Sequence, residues 1–472
     1  MINPFLSQYL DVVKPSTVDI IIQVPTEELS TVQNFLKNNN IQFASPIITG
    51  RYAFLQAVVP ATLVDKISEL PGVSVHVNEL KKATVHIELS MQEKKDGKSL
   101  LPPITFDQTL PVPINPFRFN PQIFTQFKGR YLPSEYNSVF GPVQYKFMDE
   151  IYPRLVDVEK TTLDGTGVKL AVIDTGYSPT EPQGIIRKGG MPKLIVLSSL
   201  DPGPVDMNGH GSWCTNTAAG GIWSYFPFGP GAGIAPGTEV YAIKVLSAYG
   251  SGTTYDVING MKFAAMNLKV DVASMSLGGP VQGTVETDPT VIALEDLVEH
   301  SKTMFVVASG DSGEYGKLST MDSPAVAPDA ISVASISLTD EELDTSPETH
   351  NVAYWSSAGG PDYPWAPTCA AYGGGRAMPN LTPDELIYNG LSQWGLLDGL
   401  YNGIRGLGQE GLHGTSQSTP QVAGLIALLI QAGLIEGETG KERTKYFINK
   451  LASKSTHNFF SGYGVPKLSY FI

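Results

Sequence analysis

Cysteine is nearly absent: 2 occur in 472 residues, which excludes a scaffold held by disulfides and leaves the redox compartment open. No run of 18 apolar residues occurs, so no membrane-spanning helix is expected. The opening segment MINPFLSQYLDVVKPS has neither a basic start nor a long apolar stretch, so a secretory signal is not expected from it. Charge is sparse at 17%, and the basic share is the smaller one, 32 Lys+Arg against 46 Asp+Glu for a net −14. That balance disfavours nucleic acid as a partner, because phosphates need a basic face. What the chain has in quantity is apolar residues (42%), Gly (48) and Pro (35). It is a globular protein with a sizeable core and tightly specified loops, long enough for two or three folding units.

Residues 18–25 (VDIIIQVP) read as a buried strand, followed by a helix over 26–39 with Thr26 as its N-cap and Leu29, Val32, Phe35 and Leu36 on one face. A strand over 50–59, another before it at 43–48, a short helix over 61–70 and an outer strand over 73–79 complete a β-α-β-β-α-β order, the ferredoxin-like arrangement. Residues 91–140 change character: EKKDGKS and then LPPITFDQTLPVPINPFRFNP have the charge and proline of a linker. From about 141 strands and helices alternate, as in a parallel sheet covered on both faces. Strands are expected at 168–174, 238–246, 271–277, 303–309 and 330–336, and helices at 254–267, 290–300 and 419–433. The domains are therefore drawn at 1–90, 91–140 and 141–472 within an α/β protein.

Three positions carry chemistry. Asp174 ends a strand in AVIDTG, at the edge where parallel sheets place their sites. D-T-G alone decides nothing, since aspartic peptidases contain it too. His210 lies in NGHGSWCTNTAAG, a glycine-rich turn entering a helix of small residues. Ser416 lies in HGTSQSTPQVAGLIALL at the start of an apolar helix, where Pro420 is tolerable in the first turn. A helix start offers backbone N–H groups to a developing oxyanion, although an isolated serine there is also a good cap.

The order Asp…His…Ser is that of subtilisin, not of chymotrypsin or the α/β-hydrolases. Eight ordered segments resemble the subtilase family: VKLAVIDTG, NGHGSWCTNTAAG, GIAPGTEVYAIKVL, SMSLGG, VVASGDSG, SPAVAPDAISVASI, YWSSAG and GTSQSTPQVAG. The resemblance implies a subtilisin-like three-layer fold and a serine endopeptidase acting on protein or peptide substrates. It makes Ser416 the nucleophile, His210 the general base and Asp174 its orienting partner. Ser276, Leu277 and Gly278 then pair with the substrate backbone and wall the P1 pocket, with Val307, Ala308, Ser309 and Gly310 opposite. Gly250, Ser251 and Gly252 form the second edge of the cleft. The N-terminal unit resembles a subtilase propeptide, an intramolecular chaperone and inhibitor released between about 85 and 140. That zymogen architecture favours a secreted or cell-envelope setting.

Most subtilases place Asn at the oxyanion position where this chain has Asp311, as sedolisins do. An ionised Asp repels the oxyanion and a protonated one donates to it, so the enzyme is expected to favour mild acid with Asp311 raised by burial. Against that stands a simple bond from Asp311 to a neighbouring loop. Cys214, one helical turn beyond His210, reads as a buried free thiol, and Cys369 as a loop residue not bridged to it. Residues 359–412 exceed the compact family core and are read as an insertion, either bordering the cleft or inert. No cofactor is required. Many subtilases bind structural calcium, but no EF-hand-like spacing occurs and no metal ligands are assigned. The pocket segments are small and apolar, pointing to apolar or aromatic P1 residues. One rival reading is a catalytically silent subtilase-fold protein that binds peptides, and a second is a dedicated processing protease with a narrow substrate, which acidic residues lining the subsites would mark.

Overall fold

The computed structural model describes residue 2 and residues 4–83, 161–177, 188–220, 223–225, 229–231, 233–313, 317–337, 351–353, 355–373, 394–395, 410–411 and 414–472. The proposed linker, the release site and most of the 359–412 insertion lie outside the described residues.

The first unit begins with α1 (Pro4–Val13), then β1 (Thr17–Pro25), α2 (Leu29–Asn38), β2 (Ile47–Ile48), β3 (Tyr52–Pro60), α3 (Val64–Ser68) and β4 (Ser74–Val77). The sheet order is β2-β3-β1-β4, antiparallel throughout. Strand β1 alternates faces as a pleated strand must. Ile20, Ile22 and Val24 meet Val32, Leu36, Val64 and Ile67 of the two helices, while Ile21 faces the larger unit with Ile47 and Phe54. Thr26 does not cap α2. Its hydroxyl donates to the Gly50 carbonyl at 3.0 Å, and residues 26–28 form a single tight turn leading into the helix.

One more strand, β5 (Leu80–Ala83), leaves this unit and joins no part of its sheet.

In the larger unit the strands of the main sheet and of the cleft are β6 (Lys169–Asp174), β7 (Lys193–Val196), β8 (Glu239–Lys244), β9 (Ser251–Thr253), β10 (Val272–Met275), β11 (Leu277–Gly278), β12 (Met304–Ala308), β13 (Ile331–Ser337), β14 (Asn351–Val352) and β15 (Cys369–Tyr372). The helices that position the site are α4 (His210–Ala219), α5 (Thr254–Lys262), α6 (Pro289–His300), α7 (Thr415–Gln431) and α8 (Gly440–Ala452). The main sheet runs β14-β13-β12-β10-β6-β8-β7, with β15 parallel to β13. All its neighbours are parallel except the β13–β14 pair.

Central strands of such a sheet are buried on both faces, which is why they read as apolar runs. On β6, Leu170 and Val172 pack with Trp213, Val422 and Leu425 of α4 and α7. Ala171 and Ile173 pack on the other face with Val257, Ile258 and Leu294 of α5 and α6. Each fully buried side chain of this size contributes about 1.5–3 kcal/mol of burial. The result is a three-layer α/β fold.

Helix α7 starts at Thr415, four residues before the start expected from the apolar pattern, so Pro420 lies in its second turn and not its first. Its ring removes the N–H that would bond the carbonyl four residues back, that of Ser416. The freed carbonyl accepts instead from Ser276 Oγ at 3.0 Å and lies 3.6 Å from Cys214 Sγ. Cys369 is a strand residue rather than a loop residue, pairing with Val333, and both cysteines are free and buried.

Candidate active site

Asp174 is the last residue of β6, at the carboxyl edge of the sheet. Its Oδ1 accepts from the Thr175 amide at 2.7 Å and lies 2.7 Å from His210 Nδ1. A carboxylate only accepts, so Nδ1 carries the proton and Nε2 is the nitrogen left to act as a base. Both side chains are buried.

Residues outside the motif hold this pair in place. Asp206 Oδ1 accepts from the amides of Asn208 and Gly209, and Oδ2 from the amide and hydroxyl of Ser212. These bonds tie the first turn of α4 to the loop before it. Gly209, at φ 93°, makes the left-handed turn that launches the helix. Lys244, at the end of β8, donates to the Thr175 carbonyl at 2.9 Å and pairs with Asp201 at 3.0 Å. Thr175 Oγ1 accepts from the Gly211 amide at 2.8 Å, joining the aspartate loop to the histidine helix. Neither Asp206 nor Lys244 was singled out from the sequence. Asp206, four residues before His210 at the head of the glycine-rich turn, had a legible capping signal. Lys244 sits inside an apolar strand and had none.

Ser416 is the second residue of α7, and its hydroxyl donates to the Ser276 carbonyl at 3.2 Å. Cys214 Sγ stands 3.8 Å from His210 Nδ1 and 4.0 Å from Nε2 and also approaches the Ser416 carbonyl. The thiol therefore lies where the histidine and serine helices meet. Burial raises its pKa, with the charge of His210 opposing, so it is a neutral thiol at neutral pH. Asp174, His210 and Cys214 have ligand-type atoms within 4.8 Å of one another, but Nδ1 is already committed to Asp174. For His210, burial lowers the pKa and the negative charge of Asp174 raises it, and the net direction is well above the usual value.

Asp311 Oδ1 accepts from the Thr415 amide at 2.9 Å and its hydroxyl at 2.8 Å, while Thr415 Oγ1 accepts from the Gly310 amide at 3.2 Å. Oδ2 is buried without a hydrogen-bond partner among the described residues. Burial pushes the Asp311 carboxyl up to about 7, against the Thr415 bonds that favour its anion. Half of this carboxyl caps the serine helix, and the other half is unspent.

The edges of the cleft are occupied. Strand β5 lies antiparallel between β9 and β11, with Lys81 opposite Gly252, Lys82 opposite both Ser251 and Gly278, and Ala83 opposite Leu277. The Ala83 amide donates to the Gly250 carbonyl at 2.9 Å. Residues 250–252 and 276–278 thus bracket one extended strand. Val307 and Ala308, by contrast, are enclosed within the sheet, and only Ser309 and Gly310 follow at its carboxyl edge.

This arrangement defines an α/β protein whose polar site sits where parallel strands end and a buried helix begins. The chain belongs to the subtilase family, whose model matches residues 165–464. Pyrolysin of Pyrococcus furiosus is 29% identical over 349 residues, covering 61% of this chain and 23% of pyrolysin. The serine protease AprX of Bacillus subtilis is 32% identical over 281 residues, 57% of this chain and 58% of that protein. Fervidolysin of Fervidobacterium pennivorans, a keratinolytic enzyme related to subtilisin, has the same fold at a TM-score of 0.57 and 17% identity, over 96% of this chain and 60% of that one. The chain therefore spans less than two thirds of the length of these relatives.

Proposed function

We propose that the protein is a serine endopeptidase that cleaves proteins or peptides through an acyl-enzyme and is made as a self-processing precursor. The observation that carries this reading is the buried 2.7 Å His210–Asp174 pair beside the helix whose second residue is Ser416. Ser416 Oγ attacks the scissile carbonyl while Nε2 of His210 takes its proton, after the hydroxyl turns from the Ser276 carbonyl. Asp174 keeps the proton on Nδ1 and stabilises the imidazolium. The oxyanion meets the amino end of α7 and, when Asp311 is neutral, a hydrogen bond from its free oxygen. Collapse returns the proton from His210 to the leaving amine, and water repeats the sequence to release the acid. No cofactor enters this scheme.

The N-terminal unit acts as the intramolecular inhibitor, a role supported by β5 lying as the middle strand of the cleft, where an extended substrate adds to both edges. Its release places the mature enzyme at a distance from residues 1–83. A secreted or envelope setting suits such a precursor. Among the described residues no helix is long and apolar enough to cross a membrane.

The working pH follows from two directions. Asp311 supplies its proton below about 7, while the raised pKa of His210 moves its base form upward. The optimum shifts from mild acid toward neutrality. Hydrolysis of a mixed peptide library from pH 3 to 9, with Ser416→Ala beside the wild type, tests the reading. Cleavage that vanishes in the variant is expected. No cleavage at any pH by the wild type overturns it in favour of a silent peptide-binding protein.

A further inference from the structure

The pocket beside the nucleophile is not apolar at its floor. It is walled on one side by Ser276–Gly278 and on the other by Ser309–Gly310. Both walls adjoin the serine: Ser416 Oγ bonds the Ser276 carbonyl, and the Gly310 amide bonds Thr415. Between the walls stands Asp322. A Cβ placed on Gly278 would lie 2.6 Å from Asp322 Cβ and 3.1 Å from its Oδ2, and one placed on Gly310 would lie 2.8 Å from the same Oδ2. The two glycines leave the space that the carboxylate fills, and Gly310 at φ +107° also needs glycine for its backbone.

Asp322 is half-buried, its backbone amide bonded to the Ser309 carbonyl. Among the described residues no hydrogen bond or ion pair engages its side chain. A carboxylate left unpaired at the bottom of a cleft is costly unless a cation arrives. The chain supplies one cation nearby. Lys81 of β5 is fully buried, its stem against Gly279 and its Nζ bonded to the Pro280 carbonyl at 3.3 Å. Burial pushes Asp322 up to about 6 and the Lys81 charge draws it down, so at neutral pH and above it is an anion. While β5 occupies the cleft, its lysine partly neutralises the floor. Once β5 leaves, the anion faces solvent and substrate alone.

We propose that Asp322 is a specificity-determining residue that makes this pocket select a Lys or Arg side chain at the residue whose carbonyl is attacked. The proposal rests on the peptidase reading and replaces the apolar or aromatic preference expected from the pocket's linear segments. Asp322 touches the substrate side chain and takes no part in bond making.

The test uses the full-length protein and peptides identical except for Arg, Lys, Phe, Leu or Glu at the cleaved position, compared at pH 8. The wild type is expected to favour Arg and Lys over Phe and Leu by at least about tenfold in kcat/KM. In Asp322→Asn the Arg substrate should lose about 100-fold, the Phe substrate only a few-fold, and the preference should disappear. Asp322→Ser guards against a folding defect in the first variant, and thermal melting of both checks it. A wild type that prefers Phe or Leu, or an unchanged ratio in the variants, overturns the proposal. If the wild type cleaves nothing, benzamidine binding by calorimetry to Ser416→Ala combined with Lys81→Ala, which removes the resident cation while β5 stays in place, separates the two readings. Binding that requires Asp322 upholds the cationic pocket while the peptidase reading falls. Absence of binding removes both.

Discussion

At the scale of single residues the decisive group is Asp311. Its Oδ1 is engaged by Thr415, and its Oδ2 is buried and free. An asparagine fits the same place with its carbonyl toward Thr415 and its amide where Oδ2 lies. Asp311→Asn therefore keeps the helix cap and offers a donor at every pH. The wild-type donor exists only while the carboxyl is protonated, below about 7, and its population falls about tenfold per pH unit above that. The ratio of variant to wild-type kcat/KM should be near unity at pH 6 and about 100 at pH 9. A ratio that stays flat with pH would show that Asp311 serves only Thr415. The same scale shows where sequence reading stops. Asp174, His210 and Ser416 were legible because each sits in its own short motif. Asp322 was not, because nothing in STMDSP marks it, and only folding sets it between Gly278 and Gly310.

Elements follow the same division. The central strands were read to within a residue or two because burial on both faces leaves an uninterrupted apolar run. The apolar run alone put the start of α7 four residues late, while the serine motif put it within one residue, because what begins that helix is tertiary. Asp311 caps Thr415, and Ser276 takes the carbonyl that Pro420 frees. Likewise Cys369–Tyr372 became a strand through its pairing with Val333–Ile336, which its small residues do not announce. The close contact of α4 and α7 has a local cause. A Cβ on Gly424 would lie 2.6 Å from Ile234 Cβ and 2.8 Å from the Ala218 carbonyl. Gly424→Val should cost about 1–3 kcal/mol in a denaturant melt, as overpacking does. It should also lower kcat more than it raises KM, because α4 carries His210 and α7 carries Ser416. A stability loss with unchanged kcat would show that the two helices move as one body.

For the whole molecule the question is what keeps β5 in the cleft. Three backbone pairings on one side and two on the other hold a strand of four residues, too little to resist competition from substrate by itself. A second hold lies away from the cleft, where β3 meets α6. Asp296 is buried, and its Oδ2 accepts from Thr49 Oγ1 at 2.6 Å and the Tyr52 amide at 3.2 Å. Its Oδ1 accepts from the Arg51 amide at 3.2 Å and Nε at 3.3 Å, and Arg51 also pairs with Glu299 at 2.8 Å. The exposed guanidinium adds little, but the buried carboxylate answers three donors that would otherwise be stranded. Removing one partner of such a network costs about 2–5 kcal/mol of association. Asp296→Ala, made in the Ser416→Ala background so that no cleavage intervenes, should loosen the N-terminal unit as a body. Hydrogen exchange at the Ala83 amide, bonded to Gly250 O, should then speed up about 30-fold or more. If that amide keeps its protection while those of Arg51 and Tyr52 lose theirs, the cleft alone retains β5, and the N-terminal unit's hold is as short as the strand itself.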